Sequence, residues 1–475
     1  MPAAAPLEFL PPQLDPRVLS LSRRLLPLWL QRQSGITGSD LRQPQRLVQA
    51  MDRFQAGESR LLLAFRHPSL DDPACLAQLL WHDLPREARR RGRRWRSRPH
   101  AQFLYDRGIP LWAGAPTGWL LSRLGGCSIQ RGKLDTAALR TARQLLLEGP
   151  YPLAVAPEGA TNGHNERVSS LEPGVAQLAY WTADDLDKAG RSEAMAVLPI
   201  GLQYTFSSPV WQPLEALLSQ LEQDCGLALD PGHDLDPDRL YGRLFALAER
   251  MLTLMETFYS KAYRRPLPAA ADEPAAAQAE GEALGQVRGQ ARGQRDNQVL
   301  AWRLRHLLET ALQELEQSLA IEAHGDLASR CRRLEQAGWE RLYPSGNGSG
   351  QRSRLERGLA DRLAEETEQR MWHMRLVESF VAVSGSYVRQ RPSQERFADT
   401  LLLLWDTHCR ILGGNPGERP RLGPRRVLIS IGEPIEVRRR LATYRTDRRR
   451  AVADLTAELQ ASLEAMVVPS GDPGR

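Results

Sequence analysis

The stretch AFRHPSLDDPACLAQLL, residues 64–80, decides how the chain is read. A short apolar run, Leu61 to Phe65, leads into it, and a helical pattern starting near Leu70 leads away. Read as strand, turn and helix, it sets His67 at the end of the strand and Asp72 one turn into the helix. Ser69-Leu-Asp-Asp72 also suits a capping box with Ser69 as N-cap, in which case His67 is incidental. The alternative is a general base with its orienting carboxylate. The surrounding sequence has to decide.

Working outward, short apolar runs alternate with helical stretches as far as Tyr204. HAQFLYD (100–106), CSIQR (127–131), PLAVAPEG (152–159) and AMAVLPIGLQY (194–204) read as strands. A helix is expected from Asp135, a good N-cap, to Leu147, where Gly149-Pro150 ends it. This alternation predicts an α/β core over residues 61–214, with a mixed, largely parallel sheet flanked by helices. Residues 1–60 read as an N-terminal helical segment. Within it VLSLSRRLLPLWLQRQ (18–33) suits either an interfacial helix or one packed on the core, kinked at Pro27.

Past residue 214 the pattern turns helical. Asp236-Pro237 opens a helix in which Leu240, Leu244, Leu247, Met251, Leu254 and Phe258 recur at helical spacing. Residues 265–297, rich in Pro, Ala, Gly and Gln, read as a low-complexity linker. Leu300, Leu304, Leu308, Leu312, Leu315 and Leu319 then share a face, and amphipathic helices continue to about Leu412, broken by YPSGNGSG at 343–350. RRVLISIGEPIEV (425–437) returns to strand chemistry, and a lone strand does not stand by itself. Its expected partner is the earlier sheet. Residues 215–420 are therefore read as a large all-helical insertion, and 421–465 as the closing strand and C-terminal helix of the core.

The 475 residues carry 63 Lys and Arg against 57 Asp and Glu, a net charge of +6. The excess is concentrated: between Arg86 and Arg98 lie eight arginines and one acid. Such a run is either a solvated loop or a site for an anionic partner. Nucleic acid is not expected there, since the run holds one tryptophan, Trp95, and the chain has no recognised nucleic-acid motif. Five scattered cysteines without a Cys-x-x-Cys pair fit a reducing compartment. No signal peptide, spanning helix, metal-ligand spacing or nucleotide loop is evident, so no metal and no cofactor are expected.

Four blocks in order carry a resemblance. His67 and Asp72 match H-x-x-x-x-D; GGCSIQRG holds Gly125, Ile129 and Arg131; APEGATN holds Pro157, Glu158 and Gly159; VLPIGLQY centres on Pro199. Together they resemble the glycerolipid acyltransferase superfamily, which includes the lysophosphatidic acid acyltransferases. The match covers residues 60–205 and 425–437. The resemblance implies that His67 is the catalytic base and Asp72 its partner. It also implies that Arg131, Glu158 and Gly159 bind the acceptor and that Pro199 lines the acyl site. Two blocks depart from the family pattern: Ala160-Thr161 stands where the family has Thr-Arg, and Ser128 replaces the usual phenylalanine. The missing arginine bears on the identity of the acceptor.

The implied activity is transfer of a fatty acyl group from a thioester to a lysophospholipid or glycerol-phosphate-type acceptor, without a covalent intermediate. The donor would be acyl-CoA or an acyl carrier protein. The implied location is cytoplasmic, with peripheral attachment to an anionic membrane surface. A catalytically degenerate lipid-binding or scaffold protein on the same fold is the alternative.

Overall fold

The computed structural model describes residues 7–130, 135–228, 236–265, 267, 288–343, 353–380 and 387–470. These fall into two compact units, an α/β unit within Leu7–Ser208 and 423–470 and a helical unit within Pro209–Leu422.

The α/β unit opens with α1 (Pro16–Gln33), capped by Asp15, whose carboxylate accepts the Arg17 N–H at 2.8 Å. The helix runs through Pro27. A proline there has no N–H for the Arg23 carbonyl four residues back. His82 supplies the missing donor, its Nε2 lying 2.9 Å from that oxygen. The next segment corrects the reading of residues 1–60 as helical. Between α1 and α2 (Pro44–Gln55) lies a strand, β1 (Ile36–Arg42). Its sequence, ITGSDLR, is polar because it is an edge strand with most of its side chains partly exposed.

β2 (Ser59–Phe65) follows, and its residues 61–65 are all buried. Helices α3 (Asp72–Gln78) and α4 (Leu84–Arg90) are joined by a π-helical turn at Leu79–Asp83 that carries His82. Then come β3 (Gln102–Asp106), α5 (Ile109–Ala113), α6 (Ala115–Arg123) and β4 (Gly126–Ile129). α7 (Thr136–Glu148) has Asp135 as N-cap, accepting the Ala138 N–H at 3.1 Å. β5 (Leu153–Val155), α8 (Gly174–Lys188) and the long β6 (Ala194–Phe206) complete this part.

The helical unit comprises α9 (Trp211–Asp224), α10 (Pro237–Ala262), α11 (Arg288–Leu319), α12 (Leu327–Leu342), α13 (Arg354–Phe380), α14 (Tyr387–Gln390) and α15 (Gln394–Ile411). The linker expected over 265–297 is corrected at its end, because α11 already begins at Arg288; most of the remainder, like 344–350 of the expected loop, lies outside the described residues. In α10 the buried stripe follows Leu240, Leu244, Leu247 and Met251, then moves one residue over to Leu252, Met255 and Tyr259. A 3.5-residue repeat drifts on a helix of 3.6 residues per turn, so Leu254 and Phe258 come to face solvent. Two buried arginines each bridge carboxylates seven residues apart on one helix. Arg243 holds Glu215 and Glu222, and Arg330 holds Glu309 and Glu316.

The chain re-enters the α/β unit with β7 (Arg425–Ile431) and β8 (Ile435–Glu436), followed by α16 (Leu441–Thr446) and α17 (Arg448–Ala465). The sheet order is β1-β7-β6-β2-β5-β3-β4, with β8 beside β6. All pairs are parallel except those of β6 with β7 and β8. This is an α/β fold with a mostly parallel mixed sheet flanked by helices. Leu61, Leu63, Phe65 and Tyr204 pack on one face against α2, α3 and α4. Leu62, Ala64, Met195 and Val197 pack on the other against α7, α8 and α17. With both faces covered, the central strands read as nearly continuous apolar runs.

Pro199 sits inside β6, where a proline normally breaks a ladder. Its carbonyl accepts the Gly432 N–H at 2.9 Å, from the turn that separates β7 from β8. The N and C=O of a strand residue point the same way, so the missing donor falls at this gap in the neighbouring strand. No helix among the described residues is long and apolar enough to cross a membrane.

Candidate active site

β2 ends at Phe65, and the loop that follows lies at the carboxyl edge of the parallel strands, where open α/β sheets place their ligand sites. His67 Nδ1 lies 3.0 Å from Asp72 Oδ2. The same oxygen accepts the Ser69 N–H at 2.7 Å, while Asp71 N–H donates to Ser69 Oγ at 3.2 Å. Ser69 is not the N-cap expected of it: Asp72 is the first residue of α3, and the N-cap of that helix, Asp71, makes no side-chain cap. The carboxylate that ties the helix start also fixes the imidazole.

Asp72 is fully buried and His67 is partly exposed, with 18% of its side chain in contact with solvent. Asp72 Oδ1 takes a hydrogen bond from the Tyr204 hydroxyl. Burial pushes the Asp72 carboxyl up from the usual carboxylate range, against the opposing pull of His67, Tyr204 and the Ser69 N–H. Burial and then the nearby Asp72 charge push the Tyr204 phenol well above its ordinary value, so it remains a donor. With Nδ1 engaged by the carboxylate as N–H, the His67 Nε2 carries the lone pair. Among the described residues Nε2 has no hydrogen-bond partner, and it is the ring atom available to a substrate.

Glu158, expected to bind the acceptor, turns inward to the chain. Its Oε1 accepts the His67 backbone N–H at 2.8 Å. Its Oε2 accepts the Asn162 side-chain amide and the Ser169 N–H, both at 2.8 Å. Gly159, the next residue, has φ +75°, and a Cβ there would lie 2.3 Å from Glu172 Oε1. The left-handed backbone is what calls for glycine, and a Cβ would in addition push the Glu172 carboxylate aside. Arg66, almost wholly buried, reaches the same loop and donates to the carbonyls of Asn165 at 2.7 Å and His164 at 3.1 Å. Two charged side chains, one of each sign, thus pin the 158–169 loop against the end of β2.

The structure brings His67, Asp72 and Glu158 together, with Gly159 adjoining. Pro199 is not part of that group. By strand alternation it lies on the sheet face of Met195 and Val197, opposite Tyr204, and it is buried against Gly432. Arg131 lies outside the described residues. Sequence reasoning missed the roles of Tyr204, Arg66 and Asn162. All three lay within quoted stretches, Arg66 directly before His67, Asn162 at the end of APEGATN and Tyr204 at the end of VLPIGLQY, but nothing in those stretches says what their side chains meet.

The arginines from Arg86 to Arg98 are all exposed. Arg91 pairs with Glu87 at 2.6 Å and Arg93 with Asp52 at 3.4 Å. Trp95 is no stacking platform, because its indole N–H donates to Asp52 at 2.6 Å and its ring packs on the core. Among the described residues no group of three or more His, Cys, Asp or Glu could hold a metal ion. Comparison with known protein families and with curated proteins returns no match.

Proposed function

We propose that the protein is an O-acyltransferase of the glycerolipid acyltransferase type, acting on an acyl thioester and a lysophospholipid or glycerol-phosphate-type alcohol. One observation carries the reading. A partly exposed histidine, His67, stands just past the end of a central parallel strand with Nδ1 held by a buried carboxylate and Nε2 open. That is the arrangement a base needs to take a hydroxyl proton at neutral pH. The order of the four sequence blocks supports the superfamily assignment.

In this mechanism His67 Nε2 removes the proton from the acceptor hydroxyl as its oxygen attacks the thioester carbonyl. Asp72 keeps the Nδ1–H tautomer and stabilises the imidazolium. Collapse of the tetrahedral adduct breaks the C–S bond, and the proton passes from His67 to the departing thiolate. The oxygen–carbonyl bond replaces the sulfur–carbonyl bond, so no acyl-enzyme forms. Glu158 is a positioning residue, tying the His67 backbone to the loop on which Gly159 lies. The donor is a coenzyme A or carrier-protein thioester.

The test is transfer of labelled acyl groups from both thioester types to a panel of lyso-lipids and simple alcohols, with His67→Ala beside the wild type. General-base removal lowers the rate by about 10²–10⁴-fold. Folded wild type that transfers nothing, yet binds lipid as well as the variant does, would instead favour a lipid-holding protein.

A further inference from the structure

Helix α1 buries one stripe and leaves the other in water. Leu19 and Leu30 are buried and Leu26 packs on the core, while Leu21, Leu25, Leu28 and Trp29 are 57%, 52%, 46% and 46% exposed. The spacing of 21, 25, 28 and 29 puts these four on one outward face. Arg17 and Arg24 are exposed at 17 and 24, on the same side by that periodicity, and the helix contains no acid. A further exposed tryptophan lies on the neighbouring helix, α6. The Asp15 N–H donates to the Arg123 carbonyl at 2.9 Å, joining the start of α1 to the end of α6, and Trp119, one turn earlier on α6, is 56% exposed. The Arg123 guanidinium lies over the Trp119 ring at 6.0 Å. Arg23, on the packed side of α1 with Leu19, Leu26 and Leu30 by the same periodicity, donates to the Pro99 carbonyl at 3.0 Å and ties the helix down from behind.

Four large apolar side chains facing water on one helix need a partner. We propose that the outward face of α1, with Trp119 of the neighbouring helix, is a docking surface for an anionic lipid bilayer. The charge of the face selects the occupant. Leu and Trp at the centre with Arg at the margin suit the boundary between acyl chains and headgroups, where tryptophan rings favour the interface. A second copy of this chain on the same face would set arginine against arginine with no acid on α1 to relieve it. Anionic headgroups supply the missing countercharge to Arg17 and Arg24. The inference is independent of the chemistry at His67.

Flotation of the full chain with vesicles tests it, using phosphatidylcholine alone and an equal mixture with phosphatidylglycerol. The expected result is binding to the mixed vesicles that weakens with salt and falls at least tenfold in Leu25→Glu/Trp29→Glu. That variant keeps the wild-type circular dichroism and thermal midpoint, because both side chains already face solvent. Arg17→Glu/Arg24→Glu is expected to lose binding to the mixed vesicles and show a shallower salt dependence. Wild type that does not float, equal binding to both vesicle types, or full binding by Leu25→Glu/Trp29→Glu each overturns the proposal. So does a wild-type dimer that the apolar variant dissociates without change in vesicle affinity.

Discussion

The Tyr204 hydroxyl donates to Asp72 across 132 residues of sequence, from near the end of one strand to the first turn of the helix after another. It takes the carboxylate oxygen that His67 and Ser69 leave open. Asp72 is therefore held at both oxygens, and its direction toward the imidazole is set by the sheet as well as by its own helix.

Tyr204→Phe removes that donor and keeps the ring. A hydrogen bond to a charged group is worth about 1.5–3 kcal/mol. With half or more of this felt in the transition state, kcat/KM falls about threefold to a hundredfold. The Tyr204 bond lowers the Asp72 pKa, so its loss raises that pKa further, and the acid limb of the pH–rate profile moves to higher pH. A rate profile unchanged in both height and shape would deny Tyr204 a positioning role.

Asp72→Asn separates function from stability. The folded-state pKa of Asp72 is raised, chiefly by burial, above its ordinary value of 3.8. The group therefore favours folding most at low pH, and that contribution is lost as pH rises through the folded pKa. Relative to wild type, Asp72→Asn is expected to gain stability over the same rise, read as urea midpoints across the pH range. Activity moves the other way, falling about 10³–10⁴-fold as the imidazole loses its tautomer control.

Glu158→Gln places an amide N–H₂ against backbone and side-chain donors that now meet a carboxylate oxygen. Loss of charged acceptors for buried donors costs about 1.5–3 kcal/mol. The expected readout is a lower urea midpoint with an unchanged slope. Hydrogen exchange should quicken first at the amides of His67 and Ser169.

Gly159→Ala is destabilising for two separable reasons. The left-handed backbone costs a non-glycine residue about 1–2 kcal/mol, and the new Cβ collides with the Glu172 carboxylate. Adding Glu172→Ala relieves the collision and leaves the backbone cost. The thermal midpoint of the double variant is expected to lie between those of Gly159→Ala and Glu172→Ala, and a strictly additive loss would remove the steric argument.

Much of the α/β unit was legible because its strands are buried on both faces and spell apolar runs, LLLAF and AMAVLPIGLQY among them. β1 was not, because an edge strand of Thr, Ser and Asp carries no such signal. The start of α11 was hidden by a Gly- and Gln-rich composition that a helix overrode. His67 and Asp72 could be paired from a spacing of five residues. Tyr204 could not, since nothing in an apolar strand says which carboxylate its hydroxyl will meet. Glu158 was visible as a residue, but its direction was not, because its three donors come from His67, Asn162 and Ser169 and only folding brings them to one point.

The position of β7 sets an order of assembly during synthesis. It pairs with β1 on one side and β6 on the other, yet it is made after the entire helical unit. Until residues 425–431 leave the ribosome, β1 has no neighbour and the far half of β6, from Ile200 to Phe206, is an open edge. Tyr204 lies on that open edge, so the strand that carries the donor to Asp72 is the last of the central strands to be secured. Parallel pairing across so long a separation is slow to form. The nascent chain must hold an apolar strand edge unpaired through some two hundred residues of translation, the interval in which a holdase chaperone would engage it.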